Sequence, residues 1–342
     1  MIGSRLFGRS SNAPVGLAIE IGEAAIRGAV FGMDGVARFR RSSPTGPPGD
    51  GVVHRTKAIL RALATDARAN GLVPVGIGIA GPGTIGAAPR GAWTHTPLPW
   101  SRLWLADAFR EDLGLPVAIN TTVAAIGLAE SFAAVPGEPG ITAFVELGPG
   151  VRAAIFSGGH LVRGSTDGAG ELGHLPVMPD GEWCRCGQRG CLEVYFSSRG
   201  LVRRYRARGG GSTFAPADIA RRWDDDPVCG LVWNEGLRAF ALGLAALTLL
   251  VDPAAIILGG GLSRSALRLS DSLEPLLAEL LAWRGVPAIR PSQLGPGAAQ
   301  LGAAILAFQA AGSPSIGTAW DLHSTSRDAA SNHKDSGWGG DQ

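Results

Sequence analysis

Apolar residues recur along the chain in short runs with two periods. Between Gly16 and Asp34 small and apolar residues alternate around a Gly-containing turn, which predicts a β-hairpin. Ile59, Leu60 and Leu63 have helical spacing within 53–70, and Val75–Ile79 reads as a buried strand ending in Gly81-Pro82-Gly83. An amphipathic helix at 103–113, a strand at 116–119 and a helix at 124–132 complete a first cycle. A second cycle opens with strands at 141–147 and 151–157 around Gly148-Pro149-Gly150. Helices at 197–207, 216–223 and 232–250 follow, then a strand at 255–258 running into Gly259-Gly260-Gly261, and helices at 273–283 and 298–311. Strands alternating with helices in two similar cycles predict two α/β lobes, with the cleft between them as the expected ligand site. The expected boundaries are a flexible leader at 1–14, an N-terminal lobe at 15–118 and a C-terminal lobe at 119–296. Residues 297–312 are expected as a helix returning to the N-terminal lobe, and 313–342, rich in Ser, Gly, Asp and Asn, as a disordered tail.

Composition narrows the class. Hydrophobic residues make up 45% of the 342 and charged residues 18%, which fits packed domains rather than disorder. The net charge of +2 is too small to make nucleic acid or an anionic membrane the main partner. Lys57 and Lys334 are the only lysines, so the cationic residues are nearly all Arg, scattered without a basic stripe. No run reads as a signal peptide, and the longest apolar stretch, 240–257, is broken by Gly243, Asp252 and Pro253. A cytoplasmic location follows as the expectation, where thiols stay reduced and bind metal rather than pair.

Three of the four cysteines lie within eight residues. His174, Cys184, Cys186 and Cys191 offer one imidazole and three thiolates, the soft tetrahedral set that zinc prefers, while Gly187 and Gly190 allow the backbone to turn. With four protein ligands no position remains for a catalytic water, so the expected ion is a structural zinc. Cys229 stands apart and reads as core.

The stretch GELGHLPVMPDGEWCRCGQRGCLE, 170–193, resembles the signature of the ROK family of repressors, open reading frames and sugar kinases. Further matches are GIGIAGPG at 76–83, LGLPV at 113–117, FVELGPG at 144–150, SGGHLVRG at 157–164 and IILGGGLS at 256–263. The resemblance implies a two-lobed actin/hexokinase-like (ribonuclease H-like) α/β ATPase fold with a structural zinc segment, commonly homodimeric, binding a sugar or sugar-like ligand. It also implies sugar contacts at Glu171, His174 and Glu193. Carboxylates accept hydrogen bonds from neighbouring hydroxyls, and an imidazole can bind zinc through one nitrogen while the other faces the ligand.

The parts that phosphoryl transfer needs depart from the family pattern. The stretch holding the catalytic Asp aligns with Asn120-Thr121-Thr122, placing Thr122 at the base position, and no Asp or Glu occurs between Asp112 and Glu130. A threonine hydroxyl is no general base at neutral pH, which alone forfeits on the order of a hundredfold in rate. The nucleotide positions implied by the family are Gly22, Gly148, Gly150 and Gly259, Gly260 and Gly261. Around Gly22 the turn reads Glu20-Ile21-Gly22-Glu23-Ala24, with a carboxylate where phosphates would lie. In the second turn Pro149 removes a hydroxyl and a backbone donor, although Arg152 nearby could bind phosphate. The glycine triplet is intact, and it is also a plain strand-to-helix connection. A further sugar-contacting Asn is missing from 96–100.

These substitutions argue against ATP and magnesium. They lead to a sugar-binding sensor or transcriptional-regulator-type core without catalysis, whose hairpin form Glu-Ile-Gly-x-x-x-Ile-Arg resembles the family's regulators. DNA enters this reading only if a helix-turn-helix precedes the chain. The alternative is an ATP-dependent sugar or cyclitol kinase with a non-standard base.

Overall fold

The computed structural model describes residues 12–47, 50–86, 92–94, 105–134, 140–211, 214–265 and 269–322. They form two compact units.

In the first unit, β1 (Ala13–Ile21), β2 (Ala25–Gly32) and β3 (Ala37–Pro44) form an antiparallel meander. The helix α1 (Asp50–Ala69) leads to β4 (Leu72–Gly81), which pairs parallel with β1. A small hairpin, β5 (Thr84–Gly86) and β6 (Ala92–Thr94), precedes α2 (Leu105–Leu113), β7 (Val117–Thr121) and α3 (Thr122–Ala134). The main sheet has the order β3-β2-β1-β4-β7. Leu17, Ile19, Ile77 and Ile79 on its central strands pack with Leu60, Leu63 and Ala67 of α1 and with Phe109 of α2.

The second unit repeats the arrangement. β8 (Ile141–Leu147), β9 (Val151–Ser157) and β10 (His160–Leu161) form the meander, followed by the Cys/His segment, α4 (Leu192–Phe196), α5 (Ser198–Ala207), α6 (Pro216–Arg221) and α7 (Pro227–Val251). Then come β11 (Ala255–Gly259), α8 (Gly261–Ser265), α9 (Leu269–Leu280) and β12 (Ala288–Pro291). The sheet order β10-β9-β8-β11-β12 matches that of the first sheet, with the same antiparallel meander and parallel additions. The turns at 22–24 and 148–150 are therefore topologically equivalent. So are the connections after β4 and after β11.

Several expectations need correction. β1 begins at Ala13, inside the expected leader, whose residues 1–11 lie outside the described set. β7 and α3 belong to the first unit, not the C-terminal lobe, because β7 hydrogen-bonds to β4 from Ile77↔Val117 to Gly81↔Thr121. No correction is needed for the helix expected at 297–312 to return to the N-terminal lobe: α10 (Ala298–Ala310) lies in the first unit and packs on β4, β1 and α3. The ladder partners of β7 are far apart in sequence, which local patterning does not report. The expected disordered tail is ordered as far as residue 322. Trp320 is 7% exposed, stacks on Phe31 at 6.4 Å, meets Phe308 edge-on at 5.9 Å and donates its indole N–H to the carbonyl of Met33 at 2.9 Å. With the buried Ile316 and Leu322, this aromatic anchor holds a segment that has no periodicity. Residues 323–342 lie outside the described set.

No stretch was expected to be long enough to span a bilayer, yet α7 has 25 residues and passes by length and composition. It is a core helix. Val232, Leu237, Phe240, Leu244 and Leu247 are buried in the second unit, and Phe240 stacks on Phe196 at 4.9 Å.

Candidate functional site

The Cys/His segment is a chain of tight turns on the edge of the second unit. A 3₁₀ turn, Leu172–His174, presents the imidazole, and isolated bridges pair Pro176 with Cys191 and Trp183 with Arg189. Between them, the amide of Cys184 donates to Gln188 O (2.8 Å) and that of Gly187 to Cys184 O (3.1 Å), which curls the backbone around the thiols. Gly190 has φ +70° and sits so close to Met178 that any Cβ would collide with its carbonyl. Glycine is the residue that permits both the turn and the approach. Below the segment, the buried Arg204 is held by Glu182 (2.8 Å) and Glu235 and lies 4.5 Å over the ring of Tyr195. The hydroxyl of Tyr195 accepts from the amide of Glu182 at 2.9 Å, so the segment is anchored at its middle.

The ligand atoms of His174, Cys184, Cys186 and Cys191 all lie within 4.8 Å of one another. His174 Nδ1 is 3.9 Å from Cys184 Sγ, and the Cys186 and Cys191 sulfurs are 3.6 Å apart. Four ligands at zinc distances stand about 3.4–3.8 Å apart along the edges of a tetrahedron, so these separations suit such an ion. The charges point the same way. Burial, with the neighbouring Cys186 and Cys184, pushes the Cys191 thiol up to about 12. Burial likewise raises Cys184. At Cys186 burial acts upward too, but hydrogen bonding by the Gln188 backbone and by the Cys184 and Cys191 thiols outweighs it and holds the group low. Two of the three converging thiols, Cys184 and Cys191, resist ionisation, and become thiolate ligands when a cation compensates them. The cluster can hold a metal ion. Cys229 is buried in the core, as expected.

Around the cluster stand the positions implied as sugar contacts. With Nδ1 turned to the thiols, Nε2 of His174 lies 3.9 Å from Oε2 of Glu171. Arg152 reaches the other oxygen of Glu171 at 3.6 Å. Glu193, in the first turn of α4, packs against the 148–150 turn so closely that a Cβ on Gly150 would collide with its Oε2. Arg152 therefore balances an acid of this set, a role that the sequence did not indicate. It also offsets, with Arg264, part of the effect of burial, which raises the carboxyl of Glu146.

The two hairpin turns are tied internally. At the first, the amide of Gly22 donates to Ala25 O (2.9 Å), and the buried Thr45 donates its hydroxyl to Gly22 O (2.7 Å) and its amide to Ala24 O (2.9 Å). Glu20 is raised by burial, against the pull of Arg27, and Glu23 is exposed. At the second, the Gly148 amide donates to Gly150 O (3.0 Å), Pro149 has no amide proton, and Gly148 O accepts from Ser198 (2.9 Å). After β11, a Cβ on Gly260 would strike the backbone of Leu147, so this glycine is needed for packing whatever it binds.

Thr122 is the first residue of α3. The preceding Thr121 caps the helix, its hydroxyl accepting from the amide of Ala124 at 3.1 Å. The acids that flank this stretch in sequence are committed elsewhere. Asp112 pairs with Arg61, and the buried Glu130 accepts from the amide of Leu294 at 3.0 Å. Eight residues of helix put Glu130 about 12 Å along the axis from Thr122. Residues 96–100, where a sugar-contacting Asn was sought, lie outside the described set.

The sequence profile of the ROK family matches residues 16–310. The chain belongs to the ROK family. Its relatives include a glucokinase of Streptomyces coelicolor, 30% identical over 318 residues that cover 85% of this chain and 96% of the relative. Among solved structures, the ROK hexokinase of Thermus thermophilus superposes with a TM-score of 0.75 at 27% identity, covering 86% of this chain and 98% of that one. A ROK transcriptional regulator homologous to the E. coli MLC protein shares the fold, with a TM-score of 0.70 at 21% identity and coverage of 90% and 81%. The ROK chain thus has the two-sheet α/β fold of ROK hexokinase, with a candidate metal centre of one His and three Cys.

Proposed function

We propose that this ROK protein binds a sugar or sugar-like ligand without phosphorylating it, and serves as the sensing core of a regulator. The observation that carries the reading is Thr122, which opens α3 where the family's base is expected, with the flanking acids Asp112 and Glu130 engaged elsewhere. Proton removal from a sugar hydroxyl needs a carboxylate within hydrogen-bond reach. The tied turns add support. Phosphate cradles work through outward backbone amides, and those of Gly22 and Gly148 donate within their own turns. Glu23 adds repulsion at the first turn.

Glu171, His174 and Glu193 are the proposed sugar contacts, and the ion held by His174, Cys184, Cys186 and Cys191 is a structural zinc. Its task is to fix the imidazole so that Nε2 faces the ligand beside Glu171. The family resemblance supports a homodimer in the cytoplasm. Turnover assays with ATP and a panel of hexoses, amino sugars and cyclitols test the reading. Phosphorylation well above background would overturn it, as would a melting temperature raised by ATP but by none of the sugars.

A second reading, an ATP-dependent sugar kinase with a different base, is favoured by the Streptomyces coelicolor glucokinase, whose resemblance extends over 85% of this chain. The same turnover assay decides between them.

A further inference from the structure

The second unit contains a cavity of about 550 Å³, within the usual range for small-molecule sites. One wall is a face of α5, where Arg199, Val202, Arg203 and Arg206 follow at helical spacing. The lining is completed by residues of other elements, among them Arg185 beside Cys184 in the Cys/His segment, Pro149 in the second hairpin turn, and Pro216 at the start of α6. The charges are strongly one-sided. Four guanidinium groups line the cavity against a single carboxylate, Glu193. The chain as a whole has 31 cationic and 29 acidic residues, so this ratio is a local feature and not the composition average. Glu182, outside the lining, pairs with Arg203 at 2.9 Å and partly neutralises it, while Arg185 and Arg199 form no ion pair with an acid among the described residues. The positive end of α5, capped by Ser197, adds potential of the same sign.

We propose that this cavity binds the phosphoryl group of a small phosphorylated molecule. Planar guanidinium groups recognise phosphate oxygens in pairs, and Arg185 and the α5 arginines reach the space from two separate elements of the chain. Glu193 on the rim accepts from hydroxyls, which fits a sugar phosphate, whereas four cations in one cavity also fit a short condensed phosphate. Phosphate recognition is common to both. Of the positions at which the family resemblance implies nucleotide contact, none lines the cavity. The cavity adjoins the second turn through Pro149, and through Ser198 and Glu193, which contact Gly148 and Gly150. Its arginines come from α5 and the Cys/His segment rather than from the turns, so the proposal stands whether or not the protein transfers phosphate.

Calorimetric titration of the zinc-loaded full chain with glucose 6-phosphate, inorganic phosphate, tripolyphosphate and free glucose tests the assignment. Saturable binding of a phosphate probe is expected, weakened about tenfold or more by Arg199→Gln and by Arg185→Gln, with zinc content and unliganded melting temperature retained. Arg199→Lys should recover part of the loss. Tighter binding of glucose 6-phosphate identifies a sugar phosphate, and tighter binding of tripolyphosphate a condensed one; either supports the proposal. It is overturned if no phosphate probe binds, or if binding is unchanged in both glutamine variants. Binding of free glucose alone would sink this site and leave the sugar-sensing reading intact.

Discussion

A carboxylate oxygen of Glu171 lies 3.9 Å from Nε2 of His174, while Nδ1 of the same ring stands 3.9 Å from the sulfur of Cys184. One imidazole therefore faces a metal cluster with one nitrogen and an acid with the other. In the proposed site the ring would link the structural ion to the ligand.

That link separates two kinds of variant. Glu171→Gln and Glu193→Ala leave all four metal ligands in place, so zinc content, measured by atomic emission, should stay at one per chain. The thermal shift produced by a bound sugar should disappear in both. Loss of zinc together with the sugar response would mean that the acids act only as scaffold.

Cys186→Ser removes an exposed ligand whose thiol is held low, and should weaken zinc by more than about a hundredfold. Limited proteolysis should then cut within 170–193 before any other part of the second unit. Cys229→Ser, altering a buried thiol outside the cluster, should keep its zinc. Equal zinc retention in the two variants would dissolve the proposed site.

Zinc affinity should rise with pH. In the metal-free protein Cys191, at about 12, and Cys184, raised by burial, are protonated at neutral pH, and both must lose their protons to bind. Raised thiol pKa values mean that the protonated, metal-free form is favoured at lower pH. With at least two protons released, the apparent affinity should climb by about a hundredfold per pH unit between pH 6 and 8. Chelator competition across that range measures the slope. A flat profile would contradict thiolate ligation.

Thr122→Asp should not restore phosphorylation. A general base is worth about 10² to 10⁴ in rate, but only where phosphates are also held. The amides of Gly22 and Gly148 donate within their turns, and Pro149 has none to offer. Turnover equal to that of the unaltered protein is expected in a coupled ATP assay. A gain of a hundredfold would show that the base is the only missing part.

Trp320→Ala should destabilise the first unit by about 3–5 kcal/mol, the cost of emptying a buried aromatic site. The indole packs on Phe31 and Phe308 and donates to Met33 O, so its loss releases residues 313–322 as well. Hydrogen exchange of β2 checks this. Unchanged protection at Phe31 would show the contact to be dispensable.

Much of this protein is legible in its sequence because the signals are local. Alternation and helical spacing report single elements, and both hairpins and α1, α7 and α10 follow from them. The spacing of His174, Cys184, Cys186 and Cys191 reports a candidate metal centre, because the four potential ligands lie within one short segment. Thr122 is likewise visible, as a residue whose hydroxyl cannot do a carboxylate's work. The polar β3 and the short β12 escaped the pattern, since edge strands need little apolar alternation when one sheet face is open. Ordering of 313–322 was hidden because a few non-periodic contacts supply it, the indole of Trp320 with the buried Ile316 and Leu322. Only the tertiary structure decided that Arg152 balances Glu171, that Thr45 ties the first turn, and that Arg185 meets the α5 arginines around one cavity. Those partners come from separate elements, and an ion pair or a cavity wall depends on distances through space that no spacing along the chain encodes.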